Sequence, residues 1–177
     1  MLMNLKKALQ YLQNALSIWK EKPGPSHPFT AYALNNIGRI LIEMEAYGQA
    51  RPYIEQALAI REAAFKDNHP SIADSLYNLG LILVKTGANE DGWKFLDRSR
   101  KIHEKVFGPE HPRTARLLIA LGEIYGEEGD NKNAQALYDH ALWMLEKNVT
   151  DTNPDLIKVR EKVQLISKKI QLDNNEC

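Results

Sequence analysis

Apolar residues recur along this chain with a helical spacing that appears three times over. The segments ALNNIGRIL from Ala33, SLYNLGLIL from Ser75 and LLIALGEIY from Leu117 align without a gap. Leu34, Leu76 and Leu118 share one column, Ile37, Leu79 and Leu121 the next, and Ile40, Ile82 and Ile124 a third. A drift of i, i+3, i+6 marks the buried stripe of an amphipathic α-helix. Gly38, Gly80 and Gly122 stand inside that helix, where glycine costs about 1 kcal/mol relative to alanine. Close approach of a second helix compensates, and the segment that follows has small residues to match, in the columns Ala50/Gly92/Ala134 and Ala57/Ser99/Ala141. The pattern predicts a helical hairpin, made three times.

Punctuation between the helices fixes the period. His27-Pro28, His69-Pro70, His111-Pro112 and Asn153-Pro154 place four prolines 42 residues apart, each expected in the first turn of a helix, where its missing N–H costs nothing. The turns inside the hairpins contain Glu45-Ala46-Tyr47, Thr86-Gly87-Ala88-Asn89 and Gly129-Asp130-Asn131. A fixed period of this length means that each unit buries its apolar face only against its neighbours. The expected organisation is one repeat domain over residues 1–172, with full repeats at 28–69, 70–111 and 112–153. Residues 1–22 align Ala8, Tyr11, Leu12, Ala15 and Ile18 with Ala50, Tyr53, Ile54, Ala57 and Ile60, so they read as the second helix of an incomplete repeat. Over 154–172, Gln164 stands in the glycine column and Arg160 in the leucine column, as suits a capping helix. Residues 173–177 read as a polar tail.

Together the glycine and alanine columns, with Gly87 and Gly129 between helices, resemble the tetratricopeptide repeat. The stretch ALNNIGRILIEMEAYGQARPYIEQALAIREAAF, the linker FGPEHP and the long period resemble the extended repeats of the kinesin light chain group. The resemblance implies an all-α fold, a right-handed α-solenoid of about eight helices, and a function in protein binding rather than catalysis. It also implies that the first helices line a concave groove. Positions facing that groove are Asn36, Asn78 and Ala120, then Arg39, Leu81 and Glu123, and one turn earlier Tyr32, Asp74 and Arg116. Asn35, Tyr77 and Ile119 lie beside the first of these columns. Asparagine and arginine there can hydrogen-bond the backbone and carboxylates of an extended peptide, and tyrosine supplies amphipathic contact area. Arg39, Lys85 and Arg116 are offset by Glu43, Asp74, Glu123 and Glu127, so the pattern does not choose the sign of a ligand's charge. The expected role is that of an adaptor or scaffold gripping a peptide segment of a partner. A second reading is a homodimer formed through the N-terminal helix or the convex face.

Composition narrows the partners. With 23 basic residues against 23 acidic ones, there is no electrostatic footprint for nucleic acid or an anionic membrane. No apolar run approaches the roughly 18 residues of a membrane span, and the start MLMNLKKALQYL lacks the features of a signal peptide. The only cysteine, Cys177, permits no internal disulfide, which fits a cytoplasmic location.

Catalytic chemistry has no candidate. His27, His69 and His111 are one unit apart, roughly 10 Å at helix-packing distances, too far to share a metal ion, and are expected at helix caps. Glu123, Glu127, Glu128 and Asp130 gather at a hairpin turn with no nucleophile beside them and read as a solvated turn. Trp19, Trp93 and Trp143 fall in different columns and are expected to pack. No phosphate loop or nucleophile elbow occurs, so neither enzyme activity, metal nor cofactor is expected.

Overall fold

The computed structural model describes residues 2–175; Met1 and Cys177, the lone thiol, lie outside the described residues. Eight helices account for nearly all of them: α1 (Leu2–Glu21), α2 (Pro28–Glu43), α3 (Tyr47–Ala64), α4 (Pro70–Lys85), α5 (Asn89–Phe107), α6 (Pro112–Glu127), α7 (Asn131–Asn148) and α8 (Pro154–Asn175). No strand occurs among the described residues. The fold is all-α, and helices pack as hairpins in sequence order. α8 continues three residues past 172, so the stretch expected as a tail begins as helix, and Glu176 lies outside the described residues.

The 42-residue period is written at the helix starts. Each histidine stands at the N-cap with extended backbone and its Nδ1 accepts from the N–H two residues on: Phe29 for His27, Ser71 for His69 and Arg113 for His111, each at 3.2 Å. Proline follows at the first helical position, as its fixed φ and absent donor favour. Asn153 performs the same service for α8, its Oδ1 accepting from Asp155 and Leu156 N–H. Equivalent positions in the three hairpin turns, Glu45, Gly87 and Gly129, all have positive φ. Glu45 is the exception among them in carrying a Cβ there, a conformation that disfavours an L side chain by about 1 kcal/mol.

The chain divides into two compact units, Met1–Ser99 and Arg100–Cys177. In the first, α1 packs on α2, α2 on α3, α3 on α4, and α2 also meets α4. Its core includes Leu34, Ile37, Ile54, Leu76, Ile82 and Leu96, all nearly solvent-free. The interior glycines mark the crossings. A Cβ on Gly38 would stand 2.6 Å from Ile54 Cγ1, and one on Gly80 2.7 Å from Leu96 Cγ and 3.0 Å from the Gly92 carbonyl oxygen. The glycine notch thus receives the large residue of the second helix, while the small columns Ala50 and Ala57 are buried beside it. Ser99 closes the α4–α5 contact by donating to the Ala73 carbonyl at 2.7 Å.

In the second unit α6 packs on α7, and α8 packs on both. Gly122 repeats the notch, here filled by Tyr138, whose Cε1 would lie 2.6 Å from an added Cβ. Ala115, Leu118, Ile119, Met144, Leu145, Leu156, Val159 and Ile166 complete this core.

Candidate functional site

Tyr32, Asn36, Arg39 and Glu43 lie at i, i+4, i+7 and i+11 of α2, one stripe of a helix. Tyr32 and Arg39 are exposed and Asn36 is half-buried, its Nδ2 donating to the Tyr32 carbonyl at 2.9 Å. Tyr32 also belongs to an aromatic group absent from the sequence-based expectation: its ring centroid lies 6.4 Å from that of Trp19, which stands 5.9 Å from Phe29. Phe29 and Tyr32 are more than half exposed. Trp19 is half-buried, but Trp93 and Trp143, expected to pack, are exposed, and Trp143 lies under the Lys147 ammonium instead.

Asn35 and Asn78 occupy a different setting from the open one expected of groove residues. Both are buried, Asn78 at 5% exposure. Asn35 Oδ1 accepts from Asn78 Nδ2 at 3.3 Å and from Ser75 Oγ at 3.2 Å. Ser75 Oγ in turn accepts from Arg61 Nη1 at 2.7 Å, and the same guanidinium donates to the Ser71 carbonyl at 2.7 Å. This chain of neutral and charge-assisted bonds ties α2, α3 and α4 together. Burial lowers the pKa of Arg61 below the usual arginine value, and the nearby Asp74 carboxylate opposes this only in part. Buried polar groups are costly unless partnered, so the network fixes the lateral position of α2 against α4. Arg61 and Ser75 went unnoticed in the sequence because an arginine on a second helix reads as solvated. The available signal was that the two flanking columns, Leu58 and Ile60, are apolar. Of the other expected residues on α4, Asp74 and Tyr77 are half-buried and Lys85 is exposed in the last turn.

The corresponding stripe of α6 is occupied. Arg116 Nε meets Asp155 Oδ2 at 3.1 Å, and Glu123 Oε1 receives both Lys158 Nζ and Lys162 Nζ at 3.1 Å. Glu123 is buried. Burial alone would raise its pKa, but the two lysines outweigh this and hold the carboxyl below its usual value. Asp155, Lys158 and Lys162 all belong to α8, so the charges of this α6 stripe are neutralised by the helix packed beside it. Glu123 therefore does not stand in a solvated acidic turn. Among the described residues no group of three His, Cys, Asp or Glu side chains is placed to hold a metal ion, and no helix is long and apolar enough to cross a membrane.

Hairpins with a glycine notch, repeating along the chain, now meet an independent comparison: a family profile described as the tetratricopeptide repeat matches residues 1–63, 35–91 and 71–147. The chain belongs to the tetratricopeptide repeat family. Repeats of this family generally mediate protein–protein interaction and are generally non-catalytic. Similar solved structures include BtubC (BKLC) from P. vanneervenii, at a TM-score of 0.76 and 18% identity over 93% of this chain. The tetratricopeptide chain spans 66% of that protein, just under two thirds of its length. A Podosopora anserina protein assigned as a kinesin light chain, with nearly identical TPR-like repeats, matches at a TM-score of 0.71 and 18% identity, covering 97% of this chain and 81% of its own. A single-substitution variant of that protein gives a TM-score of 0.72 at the same identity. At this identity the likeness establishes the fold, and it agrees with the kinesin light chain-like character of the repeats. No curated protein sequence matches the chain.

Proposed function

We propose that this tetratricopeptide chain is a non-catalytic adaptor or scaffold module, acting in the cytoplasm, that holds a peptide segment of a partner protein against the first-helix stripe of its N-terminal unit. The observation that carries the reading is the contrast on α2 and α4. The buried network through Asn35, Ser75, Asn78 and Arg61 holds the two helices in register, while Tyr32, Asn36 and Arg39 stand at the surface beside it. A rigid, pre-positioned polar stripe reduces the ordering cost of binding. Tyr32, with Trp19 and Phe29, supplies flat apolar area for an aromatic or aliphatic side chain. Arg39 sets a preference for a carboxylate.

The test is to select peptides against the wild type and titrate the best of them into three variants. Asn36→Ala is expected to weaken binding by about five-fold to a hundred-fold, the cost of unpaired peptide groups at roughly 1 to 3 kcal/mol. Arg39→Ala should weaken acidic peptides most at low salt. Arg51→Ala, whose side chain pairs with Glu55 on the exposed face of α3, should change little. Equal losses in Arg51→Ala and Asn36→Ala, or peptides that crosslink only to second helices, would reject the assignment.

A further inference from the structure

α2, α4, α6 and α8 begin at equivalent caps, and the caps of the first three can titrate. At His27, His69 and His111 the imidazole Nδ1 accepts the N–H of the residue two positions on, at 3.2 Å each time. A neutral ring with its proton on Nε2 does this; an imidazolium cannot, because both of its nitrogens are donors. A positive charge at a helix N-terminus is also opposed by the N–H dipoles that converge there. Asn153 caps α8 through an amide oxygen, which takes up no proton near neutrality.

The three imidazoles differ in what meets a proton. His69 Nδ1 lies 2.7 Å from Ser71 Oγ, and a hydroxyl can turn to accept from a protonated nitrogen. At His27 the matching residue is Phe29, which carries no charge. At His111 it is Arg113, a guanidinium that only donates and is always charged. Phe107 stacks on His111 with centroids 4.7 Å apart, but the Arg113 guanidinium already lies 5.3 Å from the centre of that ring, and His103 of α5 is 5.9 Å from it. The neighbouring carboxylate of Glu110 is held by Lys147 of α7 at 2.8 Å, and that of Glu104 on α5 by Arg100 at 2.7 Å. Within this unit a proton on His111 therefore meets Arg113, His103 and a helix N-terminus, while both carboxylates are engaged. Burial, then Arg113, then His103 hold the His111 pKa below the ordinary 6.5.

We propose that His111 makes the start of α6 an acid-operated joint, in which a proton on Nδ1 takes the acceptor from the Arg113 N–H and releases the linker from Gly108 together with the first turn of the helix. Thr114, Ala115, Leu117 and Leu118 follow directly and are buried, so the loosening reaches the core of the C-terminal unit. The sign follows from the lowered folded pKa: the cap's contribution is fully present above 6.5 and is lost as pH falls through the folded value. Carboxylates titrate lower, which leaves a window between about pH 6.5 and about pH 5 to the histidines alone.

NMR of the whole chain at about pH 7.5 and about pH 5.3 is the direct test, because the window lies between them. Amide order parameters at Gly108 and Arg113 should fall on acidification from the rigid range near 0.85 to below about 0.6, while those at Asp155 and Leu156, behind the Asn153 cap, should hold. Thermal melts give the second reading. The parent should melt at least about 3 °C lower at the acid pH, the equivalent of one lost cap in a chain of this size. His111→Asn, which copies the cap of α8, should remove at least half of that shift, and Arg113→Ser, which copies Ser71, should reduce it. His69→Asn should leave most of it in place. Unchanged order parameters at Gly108 and Arg113 overturn the joint, as does a His111→Asn protein that keeps the whole acid shift. A His69→Asn protein that loses as much of the shift as His111→Asn overturns the assignment to the Arg113 site.

Discussion

The stripe of α2 and the stripe of α6 occupy the same columns of the repeat, yet they are held in opposite ways. In the N-terminal unit the contact beside the stripe is a buried network of amides and a hydroxyl, anchored by one guanidinium, and Tyr32 and Arg39 are left in solvent. In the C-terminal unit the stripe itself is the contact, since Arg116 and Glu123 are spent on Asp155, Lys158 and Lys162 of α8. Column position therefore says where a side chain points, but the neighbouring helix decides whether it is available. An amide network keeps its strength when salt or pH changes, whereas an ionic clasp at a partly solvated edge does not.

Both arrangements rest on hairpins closed at a glycine, and the largest expected effect lies there. Gly80→Leu places branched carbon atoms where even a Cβ would be 2.7 Å from Leu96 and 3.0 Å from the Gly92 carbonyl, and should destabilise by about 3 kcal/mol or more. Gly122→Leu should cost a similar amount against Tyr138. Gly126→Ala provides the contrast: the nearest atoms are 3.8 and 4.0 Å away, so stability should be retained or improved by up to about 1 kcal/mol. Thermal melts of the three variants rank these contacts, and a Gly80→Leu protein melting within a degree or two of the parent would refute the notch.

Next in size is the network itself. Arg61→Ala removes the donor to the Ser71 carbonyl and Ser75 Oγ and should destabilise by roughly 1 to 3 kcal/mol through buried groups left unpaired. The loss should be nearly independent of salt, because this site is closed to counterions. Urea unfolding at low and at high ionic strength measures it; a loss that disappears in high salt would make the contact a surface ion pair.

The smallest effect belongs to the clasp on α6. Because Glu123 has its folded pKa below the ordinary 4.5, its contribution is fully present above that value and is lost as pH falls through the folded pKa. Glu123→Gln should therefore destabilise by about 1 kcal/mol or less at neutral pH, since both lysines remain partly in solvent. The difference from the parent should shrink toward zero as the solution is acidified below about 4.5. Paired melts across the acid range test this, and a difference that grows on acidification would contradict the clasp.

Which features were legible beforehand follows from how local each one is. The helices, their starts at prolines 28, 70, 112 and 154, and the histidine caps depend on neighbours within one turn, and such neighbours are written consecutively in the chain. The glycine column announced close helix approach as well, although it took the packing to show that Ile54, Leu96 and Tyr138 enter the notches.

By itself the sequence determined the all-α repeat architecture, because a period of 42 residues with a 3.6-residue stripe has no other way to bury its apolar face. Only the tertiary structure decided which polar side chains are free to bind. Asn78 and Asn36 are one repeat apart and chemically identical, but Asn78 is sealed against Asn35 from 43 residues away while Asn36 stays half in solvent. That distinction depends on the lateral spacing of helices, which is set by the summed packing of residues distant in the chain. Glu123 shows the same thing from the other side: its identity is local, but its engagement depends on lysines 35 and 39 positions later.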